Sequence, residues 1–230
     1  ISGIAVGIGT IVFLVSLGYG LQELSIKKIT SISSLTALDV SPSQGSQEIT
    51  ATVLEDFENI ENVEDVSPLL SLAGQVQSGD KISDVVGYGV DAKYFEYQGL
   101  KISIGGNFND ANECVISSGA AKAFSESIGE LIGSEIQFIG YFPKKDSIDL
   151  DKKEFLYKIV GIIDDETSSF AYFPIREEFL FGNTIYSSAK VKVVSTDNLT
   201  PVRESIQSRG FRVTSIADTI DQVYQAFTVI

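Results

Sequence analysis

The 230-residue sequence lacks histidine, methionine and tryptophan, and it has a single cysteine, Cys114. One cysteine cannot form a disulfide within the chain, and without histidine the usual nitrogen ligands of zinc are missing. Histidine is also the commonest base that activates serine and cysteine nucleophiles. The composition therefore excludes a zinc site of the usual kind and argues against a triad hydrolase. We expect no enzymatic activity, no catalytic residue, no metal ligand and no cofactor.

Basic residues are scarce: 17 lysines and arginines stand against 31 aspartates and glutamates, which gives a net charge of −14. A surface this acidic repels a phosphate backbone, so nucleic acid is excluded as a partner. The hydrophobic fraction of 43% is large enough to build the core of one domain or of two small ones. Because methionine is absent at position 1 and elsewhere, we interpret the chain as a segment of a longer polypeptide.

Charged residues are absent from residues 1–21, where the sequence is apolar on every face of a helix. Such a helix spans about 30 Å, close to the hydrocarbon thickness of a bilayer. We therefore predict a transmembrane helix over residues 1–24, surrounded by lipid. The alternatives are a signal peptide, for which a basic region and a clear cleavage site are missing, and a buried core helix, which is usually shorter. Lys27 and Lys28 favour a cytoplasmic position for that flank, although the other flank is needed for the comparison.

The remaining sequence begins and ends with the same order of a strand, a helix and a strand. The predicted elements are 35–40, 49–60 and 63–68 in the first unit, and 189–195, 199–210 and 211–216 in the second. In the second helix we expect Thr200 to cap the first turn, Pro201 to lie within it and Gly210 to end the helix. Two such units predict a split βαβ, ferredoxin-like layer with both helices on one face.

Between the two units lies a segment rich in glycine, aromatic residues and short apolar runs, which we interpret as an inserted subdomain. We predict strands at 85–90, 114–117, 134–142, 154–163 and 171–174. Short helices are expected at 92–97 and 119–127, a tight bend at 105–108 and a mobile charged loop at 144–153.

Apolar residues recur every three or four positions at the end of the sequence, at Ile220, Val223, Tyr224, Phe227 and Ile230. This spacing predicts an amphipathic helix that leads into a second membrane span. The predicted segments are a transmembrane helix (1–24), the first half of the layer (25–84), the inserted subdomain (85–185), the second half of the layer (186–216) and the departing helix (217–230). The predicted fold class is α+β.

Several short motifs, in this order, resemble the MacB-like periplasmic core domain of ABC transporter permeases of the MacB/FtsX/LolC type. Residues 4–20 resemble the first membrane helix of that family. The other matching motifs lie at 62–68 ("gVxxVsP"), 87–95 ("vxGvxxxyf"), 105–110 ("GRxFtxxD"), 132–136 ("vGqxI"), 158–162 ("fxVvGV") and 172–174 ("xxP"). Gly106 stands where the family usually has arginine, so a charge pairing made by that arginine is not expected here.

The resemblance covers essentially the whole chain, and it implies both a fold and a function. The fold would be a porter-like layer near the membrane with an inserted, β-rich, sabre-like subdomain, on the extracytoplasmic side of the cell membrane. The function would be mechanotransmission, in which a cytoplasmic ABC ATPase drives movement of a homodimeric or paired permease for export, with a periplasmic adaptor as a possible partner. One alternative is an FtsX-like regulator that activates an external cell-wall hydrolase. Another is a membrane-anchored sensor or hydrolase, which the absence of histidine disfavours.

Two acidic clusters are candidate cation sites. The first comprises Glu55, Asp56, Glu58, Glu61, Glu64 and Asp65, and the second is residues 164–166. Calcium loops require alternating oxygen ligands and a glycine at the bend, whereas helical spacing scatters the first cluster. We interpret the first cluster as a solvated helix face and the second as an exposed polar turn. Neither is predicted to be a metal site.

Two further features have a simpler structural interpretation. Gly105 and Gly106 lack the lysine and the spacing of a phosphate-binding loop, so a backbone bend explains them better. Four aromatic residues would be able to line an apolar pocket, but aromatic residues at this spacing more often form core: Tyr94, Phe95, Tyr97 and Phe108.

Overall fold

The computed structural model describes residues 12–13, 16, 32–43, 47–143, 150–176, 179 and 184–218. The elements, in chain order, are α1 (Ile32–Leu35), β1 (Ala37–Pro42), α2 (Ala51–Glu58), β2 (Val63–Ser78), β3 (Lys81–Val90), α3 (Tyr94–Gln98), β4 (Ile102–Gly105), β5 (Glu113–Ser117), α4 (Ser118–Lys122), β6 (Glu135–Pro143), β7 (Leu150–Ile163), β8 (Phe170–Pro174), β9 (Ser188–Val193), α5 (Leu199–Ser208) and β10 (Phe211–Ser215). Short 3₁₀ helices occupy Ile128–Leu131 and Thr196–Asn198. The predicted α+β class is confirmed.

The first part of the sheet has the strand order β10-β1-β9-β2, with every neighbouring pair antiparallel. Since β9 lies between β1 and β2, and β1 lies between β10 and β9, the two βαβ units interlock rather than stand side by side. This is the strand order of a ferredoxin-like layer.

Both helices of the layer bury an apolar stripe, because their apolar residues recur at helical spacing. The buried residues are Val53, Leu54 and Phe57 of α2, and Leu199, Val202 and Ile206 of α5. The six side chains belong to one core cluster, together with Val191 of β9 and Val213 of β10. Phe57 also meets Phe211 edge to face at 5.1 Å between ring centroids. The contacts place α2 and α5 on the same face of the layer.

Strand β2 is 16 residues long and is shared by two sheets. Its first part, up to Leu69, pairs with β9, and its second part, from Leu70 onward, pairs with β3. Pairing then continues from β3 to β8, β5, β7 and β6, and β6 pairs back with β2. These six strands therefore form a closed ring, to which β4 is added along β7. Closure removes the exposed edges that an open sheet would have.

Aromatic residues fill the interior of this ring. The ring of Phe138 lies 4.5 Å from that of Phe173, which lies 4.4 Å from that of Tyr157. Two glycines make room for them: a β-carbon at Gly74 would lie 2.5 Å from the Phe138 ring, and one at Gly87 would lie 2.7 Å from it. We name this six-stranded unit the barrel.

Several predicted boundaries were wrong. The strand predicted at 63–68 continues to Ser78, and the helix predicted at 119–127 ends at Lys122. Residues 150–153, predicted as loop, belong to β7, where their backbone pairs with β6; residues 144–149 of that loop lie outside the described part. Helix α1 and strand β4 were not predicted.

The second βαβ unit was predicted more accurately. Helix α5 contains the predicted stripe, Pro201 lies in its first turn, and Gly210 follows it with a φ of +93°, a conformation that favours glycine. Thr200 is not the cap, however. The helix begins one residue before it, and the N-cap position is taken by Asn198, whose side chain makes no capping hydrogen bond.

The two predicted membrane-associated helices fall mostly outside the described residues. Of the segment 1–24 only Val12, Phe13 and Ser16 are described, and all three are helical. Of the segment 217–230 only Ala217 and Asp218 are described, and both are helical. Within the described part of the chain, no helix is both long enough and apolar enough to cross a membrane.

Candidate functional site

In the described part of the chain, no three potential metal ligands come together. Asp165 instead closes a turn: its carboxylate accepts the Thr167 hydroxyl at 2.8 Å and the backbone N–H groups of Thr167 and Ser168 at 2.9 and 3.0 Å. The hydrogen bond from the Thr167 side chain is the main reason that the pKa of Asp165 is lowered. Glu166 pairs with Lys122 at 2.7 Å. The cluster is the polar turn that the simpler interpretation predicted.

The four aromatic residues that were candidates for lining a pocket are buried in the core. Tyr94, Phe95 and Phe108 are buried in one cluster with Leu69 and Tyr172. The ring of Phe95 lies 5.4 Å from that of Phe108 and 5.1 Å from that of Tyr172. Tyr97 is buried too, but its hydroxyl makes the polar contact described below.

The glycine pair is a backbone bend, as predicted. Gly105 has a φ of +79°, and a β-carbon there would lie 2.1 Å from the Val160 carbonyl oxygen, so no other residue fits without a shift. Gly106 donates its N–H to the same oxygen at 2.9 Å.

The most informative polar contacts lie where the layer meets its two flanking helices. The first junction is at α1, which begins at Ile32, eight positions after the end of the predicted first membrane segment. Ser33 of α1 donates its hydroxyl to the carboxylate of Glu96 in α3. Just after α1, the backbone carbonyl of Thr36 accepts a hydrogen bond from the N–H of Val193 at 2.8 Å. The Thr36 hydroxyl accepts a hydrogen bond from the ammonium group of Lys192. The end of α1 is thus fixed both to β9 and to α3.

Asp65 of β2 is the hub of this first junction. It accepts the Tyr97 hydroxyl at 2.7 Å and the Lys93 ammonium group at 3.1 Å, both from the region of α3. Next to it, Glu64 approaches Lys192 of β9 at 3.8 Å. Burial and the hydrogen bond to Asp65 raise the pKa of Tyr97, and the hydrogen bond and charge of Asp65 raise the pKa of Lys93. The phenol and the ammonium group therefore both remain protonated donors at neutral pH.

An open cleft of about 420 Å³ lies over this junction, lined by Ser33, Glu64, Asp65, Lys93, Glu96, Tyr97 and Lys192. Its side chains pair with one another across α1, β2, α3 and β9. The arrangement holds four elements together, and the described residues of the cleft include neither a metal-ligand cluster nor a reactive thiol.

At the second junction, the chain leaves β10 and enters the helical residues 216–218. Ser215 and Asp218 bond reciprocally: the Ser215 N–H donates to the Asp218 carboxylate at 2.8 Å, and the Asp218 N–H donates to the Ser215 hydroxyl at 3.2 Å. This is a capping box with aspartate in the place of glutamate. Arg203 of α5 donates to both carboxylate oxygens of Asp218, at 2.8 and 2.9 Å.

The sequence profile of the MacB-like periplasmic core domain family matches residues 1–209. The chain belongs to this family. The resemblance inferred from the short motifs is confirmed.

One curated relative is the macrolide export ATP-binding/permease protein MacB of Bartonella henselae. It is 28% identical to this chain over 218 residues, an alignment that covers 84% of the chain and 31% of the relative. The chain therefore spans less than a third of the relative's length.

Two solved structures share the fold of this MacB-like domain. The periplasmic region of MacB from Actinobacillus actinomycetemcomitans superposes with a TM-score of 0.60 at 20% identity, covering 87% of this chain and 95% of that one. The extracellular domain of the noncanonic ABC-type transporter YknZ from Gram-positive bacteria gives a TM-score of 0.55 at 15% identity, covering 78% and 99%. At these identities the likeness concerns the fold alone.

Sequence reasoning missed both junctions of this MacB-like domain. The pattern Ser215-x-x-Asp218 was available as a capping signal, because a serine followed three positions later by an acid marks a helix start. The hub at Asp65 had no such local signal, since Tyr97 lies 32 positions away. Only the folded chain brings these two side chains together.

Proposed function

We propose that this chain is the extracytoplasmic part of an ABC transporter permease, which converts ATP hydrolysis in the cytoplasm into movement outside the membrane for export of a substrate. Family membership supports the proposal, and so does the name of the Bartonella relative, a macrolide export ATP-binding/permease protein. The observation that carries it is the set of polar contacts at the two junctions of the layer. Polar contacts fix the layer at both places where the chain leads toward a predicted membrane helix.

The proposed architecture follows from the same observations. Residues 1–24 form the first membrane helix, and residues 217–230 lead into the second. The ferredoxin-like layer is the porter-like subdomain, and the barrel is the inserted, sabre-like subdomain. We place the limit between them inside β2, between Leu69 and Leu70, where the strand changes partner from β9 to β3. A continuous strand across this limit is stiffer than a flexible linker and suits the transmission of force.

The proposed partners are a cytoplasmic ABC ATPase, present as a separate subunit or as another domain, and a second permease copy or paired permease. A periplasmic adaptor or a cell-wall hydrolase would bind the external surface. The soluble domain would lie on the extracytoplasmic side of the cell membrane. No catalytic chemistry is proposed for the chain itself.

A purification of the full-length protein from its own membranes tests this proposal. We expect an ABC ATPase to co-purify, or to be part of the same polypeptide, and its hydrolysis rate to change at least twofold when residues 32–218 are deleted. Matched variants with a hydrolysis-deficient ATPase should show no such dependence. Recovery of the chain without any ATPase would contradict the proposal. Recovery of a cell-wall hydrolase together with the ATPase, with unchanged export on deletion, would favour the regulator instead.

A further inference from the structure

The second junction joins three elements through three side chains. Arg203 projects from α5, Ser215 ends β10, and Asp218 belongs to the helical residues that follow. One terminal nitrogen of Arg203 reaches both Asp218 oxygens and also the Ser215 hydroxyl, at 2.8 Å. With the two reciprocal bonds between Ser215 and Asp218, every pair among the three residues is connected. We name this set the exit clamp.

A capping box alone starts a helix, but it does not fix the direction of that helix relative to the rest of the domain. Arg203 adds this constraint. Its neighbours in α5, Val202 and Ile206, are fully buried in the layer, so the backbone that carries the guanidinium group is part of the core. The Arg203 side chain is itself only 26% exposed. The start of the helix is therefore fixed by the Arg203 side chain as well as by its covalent connection to β10.

The charge state of the exit clamp is stable at neutral pH. Burial alone would raise the pKa of Asp218, but the hydrogen bonds from Arg203 and Ser215 and the positive charge of Arg203 outweigh it, and the pKa is lowered. Asp218 thus remains an anion, and hydrogen bonds between charged partners are stronger than neutral ones.

We infer that the exit clamp is a force-transmitting joint, in which Arg203 and Asp218 are positioning residues that make the layer follow the helix after β10 as a rigid body. This inference rests on the proposed function. Without the guanidinium bonds, that helix would remain connected through the chain and the capping box only, and it would pivot at Ile216 and Ala217. Movement of the helix would then reach the layer incompletely, although ATP hydrolysis would continue.

The test uses the full-length protein with its ATPase in lipid nanodiscs. The transfer efficiency between a donor on Asp80→Cys, in the exposed turn after β2, and an acceptor in the lipid headgroups is measured without nucleotide and with ATP plus vanadate, alongside the ATP hydrolysis rate. Arg203→Gln and Asp218→Asn remove the pairing. Asp218→Glu keeps the anion and the capping pattern, and Arg212→Gln, at an exposed position of β10, removes the same charge elsewhere.

We expect the nucleotide-dependent change in transfer efficiency to fall at least threefold in Arg203→Gln and Asp218→Asn, while hydrolysis stays within twofold of the unmodified protein. Asp218→Glu and Arg212→Gln should retain the change. A role in folding alone would lower the melting temperature without this selective loss, and Asp218→Glu provides the folded comparison if either neutral variant is unstable.

Two results would overturn the inference. If Arg203→Gln and Asp218→Asn keep the full nucleotide-dependent change, the clamp does not transmit force, and the proposed function is unaffected. If the unmodified protein shows no nucleotide-dependent change while it hydrolyses ATP, the proposed function itself fails, and the inference fails with it.

Discussion

Tyr97 and Asp65 lie 32 positions apart in the sequence and are joined by a hydrogen bond of 2.7 Å from the tyrosine hydroxyl to the carboxylate. The bond connects α3, which follows the barrel strand β3, to the part of β2 that belongs to the layer. It therefore links the helix that follows the barrel strand β3 to the layer.

Replacing Tyr97 by phenylalanine removes this hydrogen bond and leaves the buried ring in place. We expect the free energy of unfolding to fall by about 1.5–3 kcal/mol, the typical contribution of a hydrogen bond to a charged group. Lys93→Gln is the matched control, because the Lys93 side chain is 63% exposed and a solvated ion pair contributes little. Urea unfolding followed by circular dichroism measures both variants. An equal loss of unfolding free energy in the two variants would contradict the prediction that the Tyr97 hydroxyl stabilises the fold more than the exposed Lys93 ion pair does.

The glycines that face Phe138 permit a second prediction. A β-carbon at Gly74 would lie 2.5 Å from the Phe138 ring and 2.6 Å from the Ile139 carbonyl oxygen, so Gly74→Ala should destabilise the barrel by about 1–3 kcal/mol through overpacking.

Gly106 provides the control for Gly74. No atom lies within 4 Å of the place where its β-carbon would be, so Gly106→Ala should change stability by less than about 0.5 kcal/mol. Gly106→Arg, which introduces the residue that the family usually has there, should be tolerated equally well. Thermal unfolding of Gly74→Ala, Gly106→Ala and Gly106→Arg measures these differences. A larger loss of stability in the Gly106 variants than in Gly74→Ala would contradict this explanation of packing in the barrel.

The sequence was most informative where burial repeats with a regular period. In α5 the stripe of Leu199, Val202 and Ile206, with Gly210 behind it, was enough to predict the helix, since an amphipathic helix is a local pattern. In β2 the alternating burial continues through Leu70, Leu72 and Val76, yet the predicted strand ended at Pro68, a residue that lacks the N–H of a strand ladder.

The ring closure and the junctions were not predictable in this way. Gly74 pairs with Gly140, and Thr36 meets Lys192, so both contacts depend on chain segments that are distant in the sequence. A contact of this kind is set by the packing of the whole domain rather than by local propensity. The family motifs implied an inserted subdomain but gave no strand pairing for it.

Lys190 and Asp39 form an ion pair on neighbouring strands, with the lysine side chain only 2% exposed. Burial lowers the pKa of Lys190, and the charge of Asp39 opposes this only in part. The unfolded chain therefore binds more protons than the folded chain as the pH approaches the usual lysine value of 10.5. The destabilising cost of the buried charge is present at neutral pH and is relieved as the pH rises.

We expect the stability of the unmodified chain to increase relative to Lys190→Met between pH 7 and about pH 10, because the variant has no lysine to titrate. Asp39→Asn should cost about 2 kcal/mol at pH 7, less than a fully buried pair, because Asp39 is 39% exposed. Urea unfolding of the three proteins across the pH range measures the differences. A stability difference between the unmodified chain and Lys190→Met that is constant or decreases with pH would contradict the assignment.

We propose that ATP hydrolysis moves this domain relative to the membrane, and energy transfer measures that movement directly. Asp80 lies in the exposed turn after β2, a path of about 50 Å along that strand from the first junction. A donor on Asp80→Cys can be used without removing Cys114, because that thiol is buried and burial raises its pKa. The acceptor is placed in the lipid headgroups of vesicles that contain the full-length protein and its ATPase. We expect ATP to change the transfer efficiency. With a hydrolysis-deficient ATPase, the transfer efficiency should not alternate between its two values. An efficiency that stays constant during active ATP hydrolysis would contradict the account.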